Sequence, residues 1–283
     1  MDDTRLDGRR PFLLLPALAV VLVVLGLPVA MLLRMSLVPT EGPIYSGGWS
    51  ARHYEMFFGD PFFSGVLLET VAYGLAVAIG TAIVGFPLAY SLARGSERTR
   101  RLRFVILILP LSLSLVVNVF GWMVILGRAG FVNSILLWLG LIDRPIQLLF
   151  DRPAVLVVLA HSFLPFQVLS IMSVVVQIDP VLEQAAASLR ASRFTTFRRV
   201  ILPLAWPGIL AGSTIVFMLT ISAFVTPRFI GGTRVPMLGS LILEQVLSVL
   251  NWPFAAAMSM LLLTIALVVA ALAGRLGRRG ARR

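Results

Sequence analysis

Residues 70–93 read TVAYGLAVAIGTAIVGFPLAYSLA, a stretch of 24 residues that contains no charged side chain. A helix needs about 20 predominantly apolar residues to cross the hydrocarbon core of a bilayer, so this stretch is predicted to span a membrane. Five more stretches share this character: residues 11–33, 104–126, 153–178, 204–226 and 253–274. We therefore expect an all-α, polytopic membrane protein whose six transmembrane helices form a single domain over residues 1–283.

Other patterns along the chain refine this expectation. Open sheet edges cannot be satisfied in hydrocarbon, so β-strands are not expected anywhere. The apolar run 131–142 is too short to cross, and it is expected to form a helix at the membrane surface or against the bundle. Gly208 and Gly212 lie four residues apart, a spacing of small residues that lets two helices approach closely.

The composition excludes a soluble globular domain and most enzyme classes. Hydrophobic residues make up 58% of the chain and charged residues 13%, with a mean hydropathy of +0.95, whereas a soluble domain has about 25% charged residues. There is no cysteine and no lysine, and the two histidines, His53 and His161, lack metal-binding spacing. The chain therefore has no P-loop lysine for ATP, and we expect no metal, no cofactor and no enzyme activity in it.

The charged residues predict an orientation. All 24 basic residues are arginines; 17 lie in the termini and in the loops after the second and fourth stretches, and seven lie on the opposite side. Arginines collect on the cytoplasmic side of membrane proteins, so both termini are predicted to be cytoplasmic, and the net charge of +11 is assigned to the lipid bilayer, not to nucleic acid. On the outer side, Glu69 and Glu244 could attract a cation, although a solvated helix end explains each equally well.

The loop 179–203, which reads DPVLEQAAASLRASRFTTFRRVILP, is the most informative segment. Asp179 is a suitable helix cap and Pro180 suits the first helical position. An amphipathic helix with small residues at its centre should follow, and then a second short helix from Ser192 through Val200. Such helices could dock on another protein or contact anionic lipid.

The same loop resembles the EAA loop of ABC-transporter membrane subunits, which reads Glu-Ala-Ala, three residues, Gly, nine residues, Ile-x-Leu-Pro. Here Gln184-Ala185-Ala186, Arg190 and Val200-Ile201-Leu202-Pro203 stand at the same spacing. Gln184 replaces the glutamate, and Arg190 replaces a glycine that would permit a turn with positive φ. The resemblance implies that the loop couples to an ATPase through Glu183, Gln184, Ala185, Ala186, Leu189, Arg190, Ala191, Ser192, Val200, Leu202 and Pro203.

Residues 123–134, 222–227 and 251–253 are similar to spermidine/putrescine-type permeases. The resemblance implies the membrane subunit of an ATP-driven importer in the bacterial inner membrane. The implied partners are a cytoplasmic ATPase dimer that binds the ATP, a second permease subunit (a sister or a second copy) and an extracytoplasmic solute-binding protein. The implied substrate is a polyamine, which Glu69, Tyr73, Trp122, Glu244 and Trp252 would suit through charge and cation–π contact.

Alternatives remain open at this stage. Related permeases for phosphonates, iron or thiamine share the loop pattern, and an anionic substrate would need cations such as Arg34 or Arg228 along its path. A carrier or channel without a nucleotide partner would require ionisable residues at mid-membrane and usually an internal repeat; the sequence has only His161 in such a place and no visible repeat. A membrane enzyme is disfavoured by the missing catalytic groups.

Overall fold

The computed structural model describes residues 10–41, 44–45 and 48–280, and the described part contains twelve α-helices and two π-helical turns. The helices are α1 (Arg10–Ser36), α2 (Arg52–Gly59), α3 (Pro61–Arg94), α4 (Glu97–Ser112), α5 (Leu115–Leu126), α6 (Phe131–Trp138), α7 (Arg152–Val175), α8 (Val181–Ser188), α9 (Arg193–Thr196), α10 (Leu202–Ile221), α11 (Leu238–Leu247) and α12 (Trp252–Gly280). The π-helical turns are Phe197–Ile201 and Pro227–Gly231.

Six helical segments among the described residues are long and apolar enough to cross a membrane, which confirms the predicted number and the all-α class. They are Ala19–Ser36, Pro61–Arg94, Leu115–Trp138, Arg152–Val175, Arg193–Ile221 and Trp252–Gly277. At 34 residues, α3 is about 51 Å long at 1.5 Å per residue, so it extends well beyond a hydrocarbon core of about 30 Å.

The third predicted span, residues 104–126, is wrong as a single helix. Helix α4 ends at Ser112, Leu113 and Ser114 are extended, and α5 begins at Leu115. Pro110 lies in the last turns of α4, where it removes one backbone hydrogen bond. Ser114 then occupies the N-cap position of α5, a position that serine favours. The apolar pattern does not reveal this break because both pieces are equally apolar.

The second short helix predicted from Ser192 through Val200 is not a separate element. Helix α9 passes without interruption through the π-helical turn Phe197–Ile201 into α10, so one helical segment runs from Arg193 to Ile221. The loop predicted over residues 179–203, called the inner loop after its predicted side of the membrane, therefore ends at Ser192 instead of at Pro203.

Three short elements differ from expectation or add to it. Strands β1 (Thr40–Glu41) and β2 (Ile44–Tyr45) form an antiparallel hairpin, contrary to the prediction of no strands, and this hairpin lies between two spans instead of within one. Helix α6 begins the short apolar run, as predicted, but it is part of the membrane-long segment Leu115–Trp138, contrary to the prediction that this run does not cross. Glu244, which the sequence analysis places on the outer side, lies within α11.

The first of two compact units comprises Met1–Pro61 and Ile242–Leu261. In this unit the Nε2 of His53 donates to the carbonyl oxygen of Val38 at 3.0 Å, and the rings of Phe57 and Phe254 lie 6.5 Å apart. Helix α1 leaves its described apolar side chains from Val20 to Leu33 largely exposed, as expected of a helix solvated by lipid.

The second unit comprises Phe62–Leu241 and Leu262–Arg283. Helices α7 and α10 lie against each other in it, because a Cβ atom at Gly208 would come within 2.9 Å of the Ser170 carbonyl oxygen. The side chain of Gln167 is within 2.9 Å of the Cβ position of Gly212, and its Nε2 donates to the carbonyl oxygen of Ile209. The paired glycines therefore serve a contact inside this chain. The single-domain organisation of residues 1–283 stays a prediction.

Candidate functional site

The inner loop begins with a side-chain cap. The Val181 N–H donates to Oδ1 of Asp179 at 2.9 Å, and α8 follows. Pro180 lies immediately before the first helical residue, one position earlier than predicted. The cap satisfies a backbone donor that the first turn of a helix leaves free. The predicted capping role of Asp179 is therefore confirmed, whereas the helix begins one residue later than predicted.

Helix α8 is not packed into the fold. None of its residues is buried, and Leu189, which follows it, is 83% exposed. Of the predicted coupling residues, six are exposed: Gln184, Ala185, Leu189, Arg190, Ser192 and Pro203. Five are half-buried: Glu183, Ala186, Ala191, Val200 and Leu202. Val181 and Leu182 of α8 are also exposed, and together with Leu189 they form an apolar surface outside the spans that another molecule can cover.

Glu183 ties α8 to the arginine-rich end of α3. Its Oε2 accepts a hydrogen bond from the Tyr90 hydroxyl at 2.7 Å, and its Oε1 accepts one from Nε of Arg94 at 3.0 Å. Nη2 of Arg94 donates to the carbonyl oxygen of Ile178 at 2.7 Å. The side chains of Arg94 and Glu183 are only 19% and 23% exposed, so each bond to a charged group contributes about 1.5–3 kcal/mol.

The turn after α8 keeps the geometry for which glycine is usually required. Arg190 has φ +57°; its N–H donates to the Ala187 carbonyl oxygen, and the Ala191 N–H donates to the Ala186 carbonyl oxygen. These two bonds form a Schellman motif with Arg190 at the position where glycine predominates. The left-handed conformation costs a residue with a side chain about 1–2 kcal/mol. The substitution of the family's glycine therefore strains the turn without abolishing it.

The chain then enters the fifth span through a second cap. Oγ of Ser192 accepts from the Thr195 N–H at 3.2 Å, at the start of α9. In the π-helical turn that follows, Phe197 meets Phe86 of α3 edge to face, with ring centroids 5.1 Å apart. Ile201 is buried among apolar side chains of α3, α7 and α10. The loop is thus anchored on α3 by a carboxylate and by an aromatic ring.

Two of the residues predicted to suit a polyamine substrate, Glu69 and Tyr73, lie close to each other in α3. Both line one pocket with Arg152, whose Nη2 donates to Oε1 of Glu69 at 2.6 Å. Tyr73 is 6% exposed, and its hydroxyl has no hydrogen-bond partner among the described residues.

The other outer candidates have different surroundings. Nε1 of Trp122 donates to Nδ1 of His161 at 3.3 Å. Glu244 lies in α11, and Trp252 is the first residue of α12 and is 48% exposed. Those last two residues belong to the first compact unit, whereas Glu69, Tyr73 and Trp122 belong to the second.

Four residues of these sites were not identified from the sequence: Tyr90, Arg94, Arg152 and Phe86. Tyr90 and Arg94 are separated from Glu183 by 93 and 89 residues, and Arg152 is separated from Glu69 by 83. No local spacing connects such pairs. The available signal was that Arg94 ends α3 and that Glu183 lies in the loop predicted to be on the same side of the membrane.

Comparison with known proteins identifies relatives. A family model described as "Binding-protein-dependent transport system inner membrane component" matches residues 84–281, which include the whole inner loop. The spermidine/putrescine transport system permease protein PotB of Salmonella typhimurium (strain SL1344) is 36% identical over 203 residues, 72% of this chain and 71% of that protein. PotB of Escherichia coli (strain K12) is 35% identical over 203 residues, 72% of this chain and 74% of that one.

A solved structure has the same fold. A chain in the crystal structure of a bacterial alginate ABC transporter in complex with an alginate pentasaccharide-bound periplasmic protein is similar with a TM-score of 0.74. The match covers 96% of this chain and 95% of that one at 20% sequence identity. The likeness therefore extends over nearly the whole described architecture.

Replacing Arg190 by glycine should stabilise the turn by about 1 kcal/mol, because glycine adopts positive φ without steric cost. The Ala191 amide should then exchange its hydrogen about fivefold more slowly, as measured by hydrogen–deuterium exchange of the detergent-solubilised protein. Arg193→Gly is the matched control: Arg193 lies in α9, where glycine should cost about 0.5–1 kcal/mol. Equal destabilisation by both variants would contradict strain at Arg190.

Glu183→Gln should loosen α8 from α3. The amide keeps the shape of the side chain but removes the charge that Arg94 and Tyr90 face, so we expect amide exchange across α8 to accelerate about tenfold, a loss of about 1.4 kcal/mol. Glu97→Gln is the matched control, because the Glu97–Arg101 pair is 66% and 77% exposed and contributes about 0–1 kcal/mol. Unchanged exchange in α8 would show that the carboxylate does not hold the helix.

Proposed function

We propose a mechanism on the premise that the chain belongs to the family of binding-protein-dependent transport system inner membrane components. It is accordingly a multi-pass inner-membrane subunit of an importer and not an enzyme. Its role is to form the path of a small solute through the membrane. The alternation of that path between its two openings is driven by ATPases that this chain does not contain.

The observation that supports this role is that α8 has no buried residue, yet it is bonded to α3 through Glu183. A pair of cytoplasmic ATPases binds ATP, and their closure moves the surface on which α8 docks. Gln184, Ala185, Leu189 and Arg190 make that contact, because they are the exposed coupling residues in α8 and in the turn that ends it. Glu183 passes the displacement to α3.

The remaining coupling residues hold the loop in shape. Ala186 supplies the carbonyl oxygen of the turn at Arg190, Ala191 supplies its N–H, and Ser192 caps α9. Val200, Leu202 and Pro203 lie where the π-helical turn joins α10. Displacement of α8 therefore also reaches the fifth span, because one helical segment runs without interruption from Arg193 to Ile221.

Three kinds of partner complete the importer: a pair of ATPases inside, a second permease subunit in the membrane and a solute-binding protein outside. The alginate transporter with a similar chain was solved with its periplasmic protein, which supports the last of these. No cofactor is assigned to this chain, because the ATP belongs to the ATPases.

A polyamine is the proposed substrate. The two PotB relatives are spermidine/putrescine permeases by name and match more than two thirds of this chain. A polycation requires carboxylates and aromatic faces along its path, and the proposed residues are Glu69, Tyr73, Trp122, Glu244 and Trp252. We also propose that residues 1–283 form a single domain, because one permeation path would be formed by all six spans.

Both termini and α8 are proposed to face the cytoplasm, on the strength of the arginine distribution. The chain contains no cysteine, so single cysteines report their side of the membrane directly. Ser96→Cys, in the exposed turn between α3 and α4, should react with a membrane-impermeant maleimide only after the membrane is opened. Asp143→Cys, on the opposite side, should react in intact spheroplasts. The reverse pattern would invert the topology.

Ala186→Pro should abolish ATP-driven uptake while the protein still inserts in the membrane. Proline inside a helix costs about 3 kcal/mol or more, and α8 has only eight residues. The measurement is uptake of labelled spermidine by proteoliposomes that contain the complete importer, with insertion checked by membrane fractionation. Ala186→Ser is the control and should retain uptake, because it preserves the helix at nearly the same size. Undiminished uptake with the proline variant would refute coupling through α8.

A further inference from the structure

The pocket between α3 and α7, here the Tyr73 pocket, has the properties of a binding site. It has a volume of about 230 Å³ and is lined by Glu69, Ala72, Tyr73, Ala76, Arg152 and Leu156. The four α3 residues repeat at intervals of three and four, so they lie on one face of the helix. Tyr73 is buried, and its hydroxyl has no partner among the described residues, although buried polar groups in folded proteins are normally hydrogen-bonded.

The location of the pocket separates it from hydrocarbon. Helix α3 is about 51 Å long at 1.5 Å per residue, and Glu69 lies in its third turn. Arg152 is the first residue of α7, and its side chain is 63% exposed. An exposed ion pair on membrane helices faces water or protein and not lipid tails. The pocket therefore opens at the mouth of the bundle opposite α8.

The charges around the pocket favour a cation. Asp151 is the N-cap residue of α7 and adjoins Arg152, which pairs with Glu69; two carboxylates and one guanidinium sum to one negative charge. Arg152 occupies only Oε1 of Glu69, so a carboxylate can accept further bonds at its other oxygen. A phenol oxygen and a carboxylate oxygen are both acceptors, and an ammonium group has three donors.

We propose that the Tyr73 pocket binds one primary ammonium group of the transported cation where it enters the importer. Tyr73 and Glu69 accept hydrogen bonds from this ammonium, and Arg152 holds the carboxylate in place. The volume is sufficient for an ammonium with the first methylenes of its alkyl chain. This inference rests on the proposed polyamine import and adds its first binding site.

The test uses the complete importer, with its ATPases, second permease subunit and binding protein, in vesicles of phosphatidylcholine and phosphatidylglycerol. Tyr73→Phe retains the buried ring and removes only the hydroxyl, so KM for spermidine uptake should rise about tenfold with the maximal rate within about twofold. Glu69→Gln should raise KM at least as much, because it also leaves the charge of Arg152 unopposed. Glu55→Gln, an exposed residue of α2, should leave KM within about twofold. Co-purification of the ATPases verifies that each variant folds and assembles.

The outcomes separate this inference from the function on which it rests. If the wild-type importer takes up spermidine and KM is unchanged in both Tyr73→Phe and Glu69→Gln, the ammonium site is refuted and polyamine import stands. If the wild type takes up no polyamine, the proposed substrate fails and the site fails with it. Phosphatidylethanolamine also carries a primary ammonium. An effect of Tyr73→Phe that appears only when this lipid is added would assign the pocket to a lipid headgroup and refute the substrate site.

Discussion

Hydrocarbon offers no hydrogen-bond partner to a peptide group, and this constraint determines where the protein can be irregular. Within the spans the backbone is helical. Its departures are residues 127–130, between α5 and α6, and the π-helical turn Phe197–Ile201. The strained residue of the inner loop, Arg190, lies outside the spans. Function is therefore concentrated where the chain leaves the lipid, because only there can a turn be built around side-chain caps and left-handed residues.

The same constraint explains which features could be predicted. The number of spans, the cap at Asp179 and the short helix α6 are local properties of the sequence, and the described residues contain them, although the third span is Leu115–Trp138 instead of residues 104–126. The break before α5 was not predicted, because a proline in an apolar stretch does not by itself indicate that the helix ends there. The partners of Glu183 and Glu69 were also missed, since each pair joins residues more than 80 positions apart. Such contacts depend on which helix faces which, and hydrophobic periodicity does not encode that.

The two departures from the family pattern have different structural outcomes. At Arg190 the backbone keeps the left-handed turn that glycine would adopt freely, so the altered residue is accommodated by strain. At Gln184 a neutral amide occupies the exposed position. Both carboxylate oxygens of the neighbouring Glu183 accept hydrogen bonds from side chains of α3. The carboxylate in this loop thus serves the chain's own architecture. The exposed surface of α8 and of the turn that ends it is apolar and cationic, with Leu189 and Arg190 at its edge.

Helix α3 carries Tyr73 in its outer half and Tyr90 in its inner half, about 26 Å apart at 1.5 Å per residue. One continuous helix thus joins the pocket that we assign to the solute with the carboxylate that holds α8, and only Pro87 interrupts its hydrogen bonding between them. Thermodynamic reciprocity gives this arrangement a consequence. If binding of nucleotide-loaded ATPases at α8 changes the affinity of the Tyr73 pocket for solute, then solute in this pocket must change the affinity of α8 for the ATPases by the same factor. The solute and the nucleotide-loaded ATPases would then be two ligands whose binding is coupled through a single helix.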